Sequence, residues 1–354
     1  MLNPILSALI VCNFSFGVVP AGIQTEKVIG TEFPGKYKHP ASFAELTNGD
    51  IYLAYYGGGG EYEDESKVWG MRKAKGSSAW TTPKVIADTP FLGEGNPVIW
   101  EAPDGVVWLF YVQRYGDTWS SSRILAKLSF DGAQTWSDSL VLAFEPGMMV
   151  RSRPILLNYG DYLLGIYHET GADRENVGAK TCSLFLRFHP QTHQWTPTNR
   201  IYSRQGNLQP TPVQIDDNYL ISYSRRGGGY DPTTRGWLVR SESHDGGRRW
   251  SKGKETKIPN PNAATDFIRL RNGHLLLVYN DNMNDRTPLT VAISTDNDKT
   301  YPYRINIGEG NFDFAYPVAV QAADGMIHIV YTANERTTVY HAVFDEKVVL
   351  GSGR

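Results

Sequence analysis

The stretch Ser129-Phe130-Asp131-Gly132-Ala133-Gln134-Thr135-Trp136 decides the fold, because it recurs along the chain. Ser243-His244-Asp245-Gly246-Gly247-Arg248-Arg249-Trp250 is a second copy, and Ser294-Thr295-Asp296-Asn297-Asp298-Lys299-Thr300-Tyr301 is a third. Weaker copies end at Trp80 and Trp195, so the closing aromatics at 80, 136, 195, 250 and 301 follow at intervals of 56, 59, 55 and 51 residues. Asp and Gly supply a tight turn, with the Asp carboxylate capping backbone amides. The closing aromatic packs back on the strands. Each copy follows an alternating run, such as Arg123 to Ser129 or Leu289 to Ser294, that reads as a half-buried strand. The motif is the hairpin turn of a repeated unit, and its role is structural.

Two further markers keep the same period. A short apolar strand is expected to start after His39-Pro40, Asn96-Pro97, Arg153-Pro154, Gln209-Pro210 and Tyr316-Pro317, with Asn260-Pro261-Asn262 filling the fifth place. Proline is tolerated at the first residue of a strand, so it marks a strand start. The next strand ends on Tyr at 55, 111, 167, 223, 279 and 331. Between the two lie hairpin turns: Asn48-Gly49, Asp104-Gly105, Tyr159-Gly160, Asp216-Asp217-Asn218, Asn272-Gly273 and Asp324-Gly325. Six units of about four strands predict an all-β fold: a six-bladed β-propeller of four-stranded antiparallel blades, one domain over residues 23–354. Lys27-Val28-Ile29-Gly30 is expected to complete the last blade beside Thr338 to Phe344, which closes the ring and hides its edges.

Composition narrows the function. The chain has 37 acidic and 35 basic side chains in 354 residues, a balance that excludes nucleic-acid binding by bulk charge but leaves room for a cationic pocket. There are two cysteines, Cys12 in the apolar N-terminal stretch and Cys182 far along the chain, which rules out a disulfide framework and a cysteine zinc site. No His-x-His or His-Glu-x-x-His occurs, so neither a metal nor another cofactor is implied. Ile5 to Ala21 is mostly apolar and a polar stretch begins at Gln24, which predicts a signal peptide over residues 1–22 and a secreted or periplasmic protein. No later stretch approaches the ~20 apolar residues of a membrane span.

Propeller geometry turns the repeat into a site. The first strand of every blade lines the central channel. Its starting end shares a face with the loop after the second strand, and the Asp-Gly turns lie on the other face. His39, Asn96, Arg153, Gln209, Asn262 and Tyr316 are therefore expected to ring the channel mouth. A second ring comes from Gly57 to Asp64, Gln113-Arg114-Tyr115, His168-Glu169, Arg225-Arg226, Asn280-Asp281 with Arg286, and Asn334 to Arg336. Arg153, Arg225 and Arg286 at one mouth point to an anionic ligand, because guanidinium forks suit a carboxylate or sulfate.

The Ser-x-Asp-Gly-x-x-Thr-Trp box and the six units resemble the Asp-box, or BNR-repeat, proteins of the sialidase superfamily, over residues 27–345. The run Pro259-Asn260-Pro261-Asn262-Ala263 is similar to bacterial sialidase-like proteins. The resemblance implies a glycoside hydrolase acting on a carboxylate-bearing sugar at the end of an acidic glycan. It also implies three arginines on the carboxylate, a Tyr nucleophile assisted by a Glu, and an Asp acid/base. Tyr316 matches the nucleophile position, Arg225 the second arginine and Arg286 the third. His39, in Lys38-His39-Pro40-Ala41, stands where the first arginine is expected. Gln209 stands where the Glu is expected, and a neutral amide can orient the Tyr without taking its proton. The acid/base falls in the loop Gly57 to Asp64, at Asp64 or Glu61. Three functions remain open: this hydrolysis, a uronate lyase in which His39, His168 or Tyr316 moves the proton, and a non-catalytic glycan-binding propeller whose ring of Asn96, Asn262, Gln209 and arginines holds the sugar.

Overall fold

The computed structural model describes residues 20–353 apart from 175 and 312. Most of the expected leader, residues 1–19, lies outside the described residues. Six antiparallel sheets follow one another along the chain. Blade one is Tyr37–Glu45, Ile51–Gly58, Lys67–Lys73 and Lys84–Ala87, and blade two is Gly93–Glu101, Val107–Arg114, Arg123–Ser129 and Leu140–Ala143. Blade three has Tyr162–His168, Cys182–His189 and Gln194–Pro197 behind a divided inner strand, Met148–Val150 and Ile155–Leu156. Blade four is Asn207–Gln214, Leu220–Arg226, Trp237–Ser243 and Lys254–Pro259, and blade five is Asp266–Arg269, Leu275–Asn280, Leu289–Ser294 and Tyr303–Gly308. Blade six takes Ala315–Gln321, Ile327–Ala333 and Thr338–Phe344 from the end of the chain and Gln24–Ile29 from its beginning, with Lys27 opposite Tyr340. Among the described residues no helix is long and apolar enough to cross a membrane.

The repeated motif acts as its chemistry suggests. Asp131 accepts hydrogen bonds from Ser129 Oγ at 2.8 Å, the amides of Gln134 and Thr135 at 3.0 and 2.9 Å, and Thr135 Oγ1 at 2.6 Å. Asp296 repeats this with Ser294, Lys299 and Thr300. Gly132 and Gly246 both turn at φ 69°, the left-handed region glycine enters without a Cβ clash. The closing aromatics join neighbouring blades: Trp250 of blade four stacks on Phe185 of blade three with ring centres 4.2 Å apart. The six repeated tyrosines, Tyr55, Tyr111, Tyr167, Tyr223, Tyr279 and Tyr331, are all buried.

The X-Pro positions differ from expectation in an instructive way. In blades one, two, four and six the inner strand begins before the proline and shifts register across it, between Lys38 and Ala41, Gly95 and Val98, Leu208 and Thr211, and Ala315 and Val318. The proline marks a β-bulge and not a strand start, because it has no N–H to give to the ladder and a bulge asks for none. Asn96, Gln209, Asn262 and Tyr316 have φ of 45°, 57°, 59° and 53°. A residue with a Cβ rarely adopts this conformation; Asn96, Gln209 and Tyr316 adopt it within the bulges, which re-aim their side chains.

Blade three breaks the pattern. In blade two Val98, next to Pro97, faces Phe110, one residue before the blade's Tyr111. In blade three Ile155, next to Pro154, faces Leu163, four residues before Tyr167. Arg153 is thus three residues further down the channel, roughly 10 Å at ~3.3 Å per residue. Met149, opposite Tyr167, occupies the mouth.

Candidate active site

The cavity at the channel mouth is bounded by His39, Asn96, Gln209 and Tyr316 from the bulges, by Tyr167 and Arg225 from the ends of second strands, and by Glu61, Glu169, Tyr230 and Arg336 from the loops that follow. Tyr316 is its centre. Its hydroxyl oxygen accepts from Arg225 Nη1 at 2.8 Å and from Gln209 Nε2 at 3.2 Å. The guanidiniums of Arg151 and Arg286 lie 5.3 and 5.8 Å from its ring centre. Burial alone would raise the phenol's pKa, but Arg225, Arg286 and Arg336 outweigh burial and the opposing Glu61, and hold it below the usual 10. Such a field favours phenolate, which is what a tyrosine needs to act near neutral pH.

The arginines are placed by their neighbours. Arg225 leaves the end of blade four's second strand and donates to Asn262 Oδ1 at 2.7 Å and to Tyr230 Oη at 2.9 Å. Arg286 reaches the same Tyr230 oxygen at 3.3 Å and the Asn262 carbonyl at 3.2 Å. Among the described residues neither makes an ion pair with a carboxylate, and Arg286 Nη1 is buried without a hydrogen bond. Arg225 is buried without an anion, which is costly, and Arg286 is half-buried; a ligand carboxylate would supply both with an acceptor. Asn262 holds Arg225 from behind and donates to the Gly228 carbonyl at 2.8 Å. Asn96 donates to Tyr167 Oη at 3.2 Å.

His39 stands edge-on to Tyr316, ring centres 4.1 Å apart. Thr332 Oγ1 lies 2.7 Å from its Nδ1 and gives its own proton to the Ala315 carbonyl, so Nδ1 carries the hydrogen and Nε2 the lone pair. Burial, then the fields of Arg336, Arg286, Arg151 and Arg225, push its pKa well below 6.5. His39 is a neutral imidazole at physiological pH. It suits a hydrogen bond from a sugar hydroxyl better than storage of a proton.

Three expected site residues lie elsewhere. Arg153 points down the channel and donates to the Ala319 carbonyl. Asp64 is two-thirds exposed (67%) and pairs with Arg114 at 2.9 Å, outside the cavity. His168 faces away, because alternation along its strand turns Tyr167 inward and His168 outward. Its Nδ1 meets Arg200 at 2.8 Å and its Nε2 the Pro146 carbonyl at 3.0 Å. Glu61 does line the cavity, held by Arg336 Nη1 and by Trp119 Nε1 at 3.3 Å.

Arg336, expected in the second ring without a role, is joined by Arg151 and Tyr230, which the sequence did not point to. Arg336 sits in the turn before the last strand, where Asn334, Glu335 and Arg336 run at φ 54°, 53° and 63°. Its carbonyl accepts from Lys38 N at 2.8 Å and its guanidinium donates to Tyr37 Oη at 3.1 Å, which sets it beside His39, where the first arginine was expected. Arg151 donates to the Pro317 carbonyl at 2.7 Å, in the break of blade three's inner strand. Tyr230 follows the Gly227-Gly228-Gly229 run, a loop signal that carried no hint of its role. Among the described residues no cluster of three or more His, Cys, Asp or Glu could hold a metal ion.

A six-bladed propeller with a guanidinium-lined cavity at its channel mouth is a sialidase-like propeller. The chain belongs to the BNR repeat-like domain family, whose model matches residues 49–329. No curated protein matches it in sequence. Its fold is similar to a Hadza microbial sialidase, Hz136, at a TM-score of 0.78 and 15% identity over 92% of this chain and 69% of that one. It is also similar to a Dyadobacter fermentans protein of unknown function, at 0.72 and 15% over 92% and 99%. A third likeness is the intramolecular trans-sialidase of Ruminococcus gnavus in complex with oseltamivir carboxylate, at 0.73 and 12% over 91% and 97%. At identities of 12–15% the likeness is one of fold alone.

Proposed function

We propose that the protein cleaves a carboxylate-bearing sugar from the end of an acidic glycan, as a retaining glycosidase with Tyr316 as nucleophile. The observation that carries this reading is Tyr316 Oη accepting from Arg225 and Gln209 beside buried guanidiniums that have no carboxylate among the described residues. Arg225, Arg286 and Arg336 take the sugar's carboxylate. The phenolate oxygen forms a bond to the anomeric carbon as the glycosidic C–O bond breaks, and the leaving oxygen takes a proton from an acid in the cavity. Water then attacks the anomeric carbon, gives up a proton, and releases Tyr316. The sialidases among the similar structures support the choice of sugar class. The depressed pKa of His39 and the outward turn of His168 weigh against a histidine-based lyase. The apolar stretch Ile5 to Ala21 supports export from the cytoplasm.

The test is release of 4-methylumbelliferone from its α-glycoside of N-acetylneuraminic acid and from its glucuronide, by the full chain and by Tyr316→Phe. Turnover of one substrate that the phenylalanine variant loses, with binding of the free sugar acid kept, is expected. An unsaturated uronate as product would establish elimination. Binding with no turnover would leave a glycan-binding module. Either result overturns the hydrolase.

A further inference from the structure

Resting on the hydrolase reading above, we infer that Glu169 is its acid/base: the carboxyl that protonates the leaving oxygen and then takes the proton from the attacking water. The cavity holds three carboxyls, those of Glu61, Glu169 and Asp173. An acid must arrive with its proton on, which a guanidinium partner prevents. Glu61 is engaged on both sides, paired with Arg336 and accepting from Trp119. Asp173 accepts from the amide of Asn176 at 3.2 Å, in its own turn. The Glu169 carboxyl makes no hydrogen bond or ion pair among the described residues. Burial pushes its pKa up to about 7, with Arg225 pulling down and Glu61 pushing up, so near neutral pH it holds a proton and is able to lose it.

Its placement is built into the backbone. Glu169 follows Tyr167 by two, so strand alternation turns it to the same side as the tyrosine that lines the cavity. Its N–H donates to the Gly147 carbonyl at 2.8 Å, and the next amide, Thr170 N, donates to Thr181 Oγ1 at 3.0 Å. Gly147 turns at φ 84°, and a Cβ there would stand 2.3 Å from the Glu169 carbonyl oxygen, so only glycine lets the two segments close this tightly. The position differs from the first-blade loop in which the acid was expected. The departure fits Gln209 as well: with the phenol's charge stabilised by arginines, the one carboxyl the reaction still needs is the acid.

The experiment compares full-length wild type, Glu169→Gln and Tyr316→Phe on two substrates with the same sugar acid. One carries a 4-nitrophenyl aglycone, which leaves without a proton, and the other a sugar aglycone, which needs one. kcat/KM reports the first, bond-breaking step. Glu169→Gln is expected to lose about 10²–10⁴-fold on the sugar aglycone and less than about tenfold on the aryl one. Its alkaline limb near pH 7 is expected to vanish, and azide to restore turnover of the aryl substrate. Equal losses on both substrates, or a persisting alkaline limb, would overturn the assignment while leaving the hydrolase intact. If wild type cleaves neither substrate, the hydrolase reading falls and this assignment with it. A matching thermal melt for the isosteric Gln variant separates chemistry from misfolding.

Discussion

Replacing Arg225 should weaken recognition of the substrate's charge and shift the ionisation of Tyr316, two effects that separate assays read. The residue gives Nε to Asn262, Nη1 to Tyr316 and Nη2 to Tyr230, so its fork is rigidly aimed before any ligand arrives. A hydrogen bond to a charged group is worth about 1.5–3 kcal/mol, and about 1.4 kcal/mol is tenfold in affinity. Arg225→Met should therefore weaken binding of the free sugar acid by roughly 10- to 150-fold. Arg225→Lys should lose most of that as well, because an ammonium keeps the charge and lacks the planar fork. Arg225→Met also removes the largest influence holding the Tyr316 pKa down, so its acid limb of kcat/KM should move to higher pH. Isothermal titration with the sugar acid and its methyl ester reads the first effect, and a pH–rate profile reads the second. Arg225→Lys binding the acid as well as wild type, or wild type binding ester and acid alike, would refute a carboxylate seated on this arginine.

Other consequences test the scaffold. Glu94 is fully buried, with Oε1 accepting from Thr89 N at 2.9 Å and Oε2 unpartnered among the described residues, and burial raises its pKa from 4.5 to about 7. The stability that goes with its neutral form is present below pH 4.5 and lost as pH rises through 7. Glu94→Gln should therefore be near neutral in urea denaturation at pH 4.5 and stabilising at pH 8, by up to about 3 kcal/mol. Asp296 is held down to about 2 by the hydroxyl and the amide of Thr300, against burial, with Ser294 and the Lys299 amide helping. Asp296→Ala should lower Tm at pH 7, with the gap to wild type closing between pH 4 and 2. Phe185, fully buried against Trp250, should cost about 3–5 kcal/mol on truncation to Ala, seen as a lower urea midpoint.

The repeat carried the architecture because every blade must solve the same turn. Asp131, Asp245 and Asp296 each gather amides of one hairpin, and that chemistry is local enough to read from eight residues. The bulges were legible as positions and not as geometry, since Pro40, Pro97, Pro210 and Pro317 announce a missing donor without saying on which side of it the strand begins. Blade three misled because its inner strand is divided, and no local feature of Arg151 to Pro154 reports the pairing of Ile155 with Leu163. Alternation turns the residue two beyond the repeat tyrosine inward, which selects Arg225 after Tyr223 and Glu169, not His168, after Tyr167. The period put Arg336 in the second ring, but its place beside His39 depends on a left-handed turn and a contact with Lys38 from the far end of the chain, which no period within one blade encodes.

That contact has a mechanical side. The ring is closed by pairing the strand Gln24–Ile29 with Thr338–Phe344, and the cavity straddles the junction so made. Tyr316 and Arg336 belong to the last blade, while Tyr37, His39 and Glu61 belong to the first. A sugar acid gripped by both sets is a clasp across the joint between the two ends of the chain. By mass action, a ligand at 100 times its Kd adds about 2.7 kcal/mol against any opening that parts them. Peeling the first strand from the last blade should dismantle the binding site before the other blades unfold, so loss of ligand affinity would be the earliest sign that the ring has come undone.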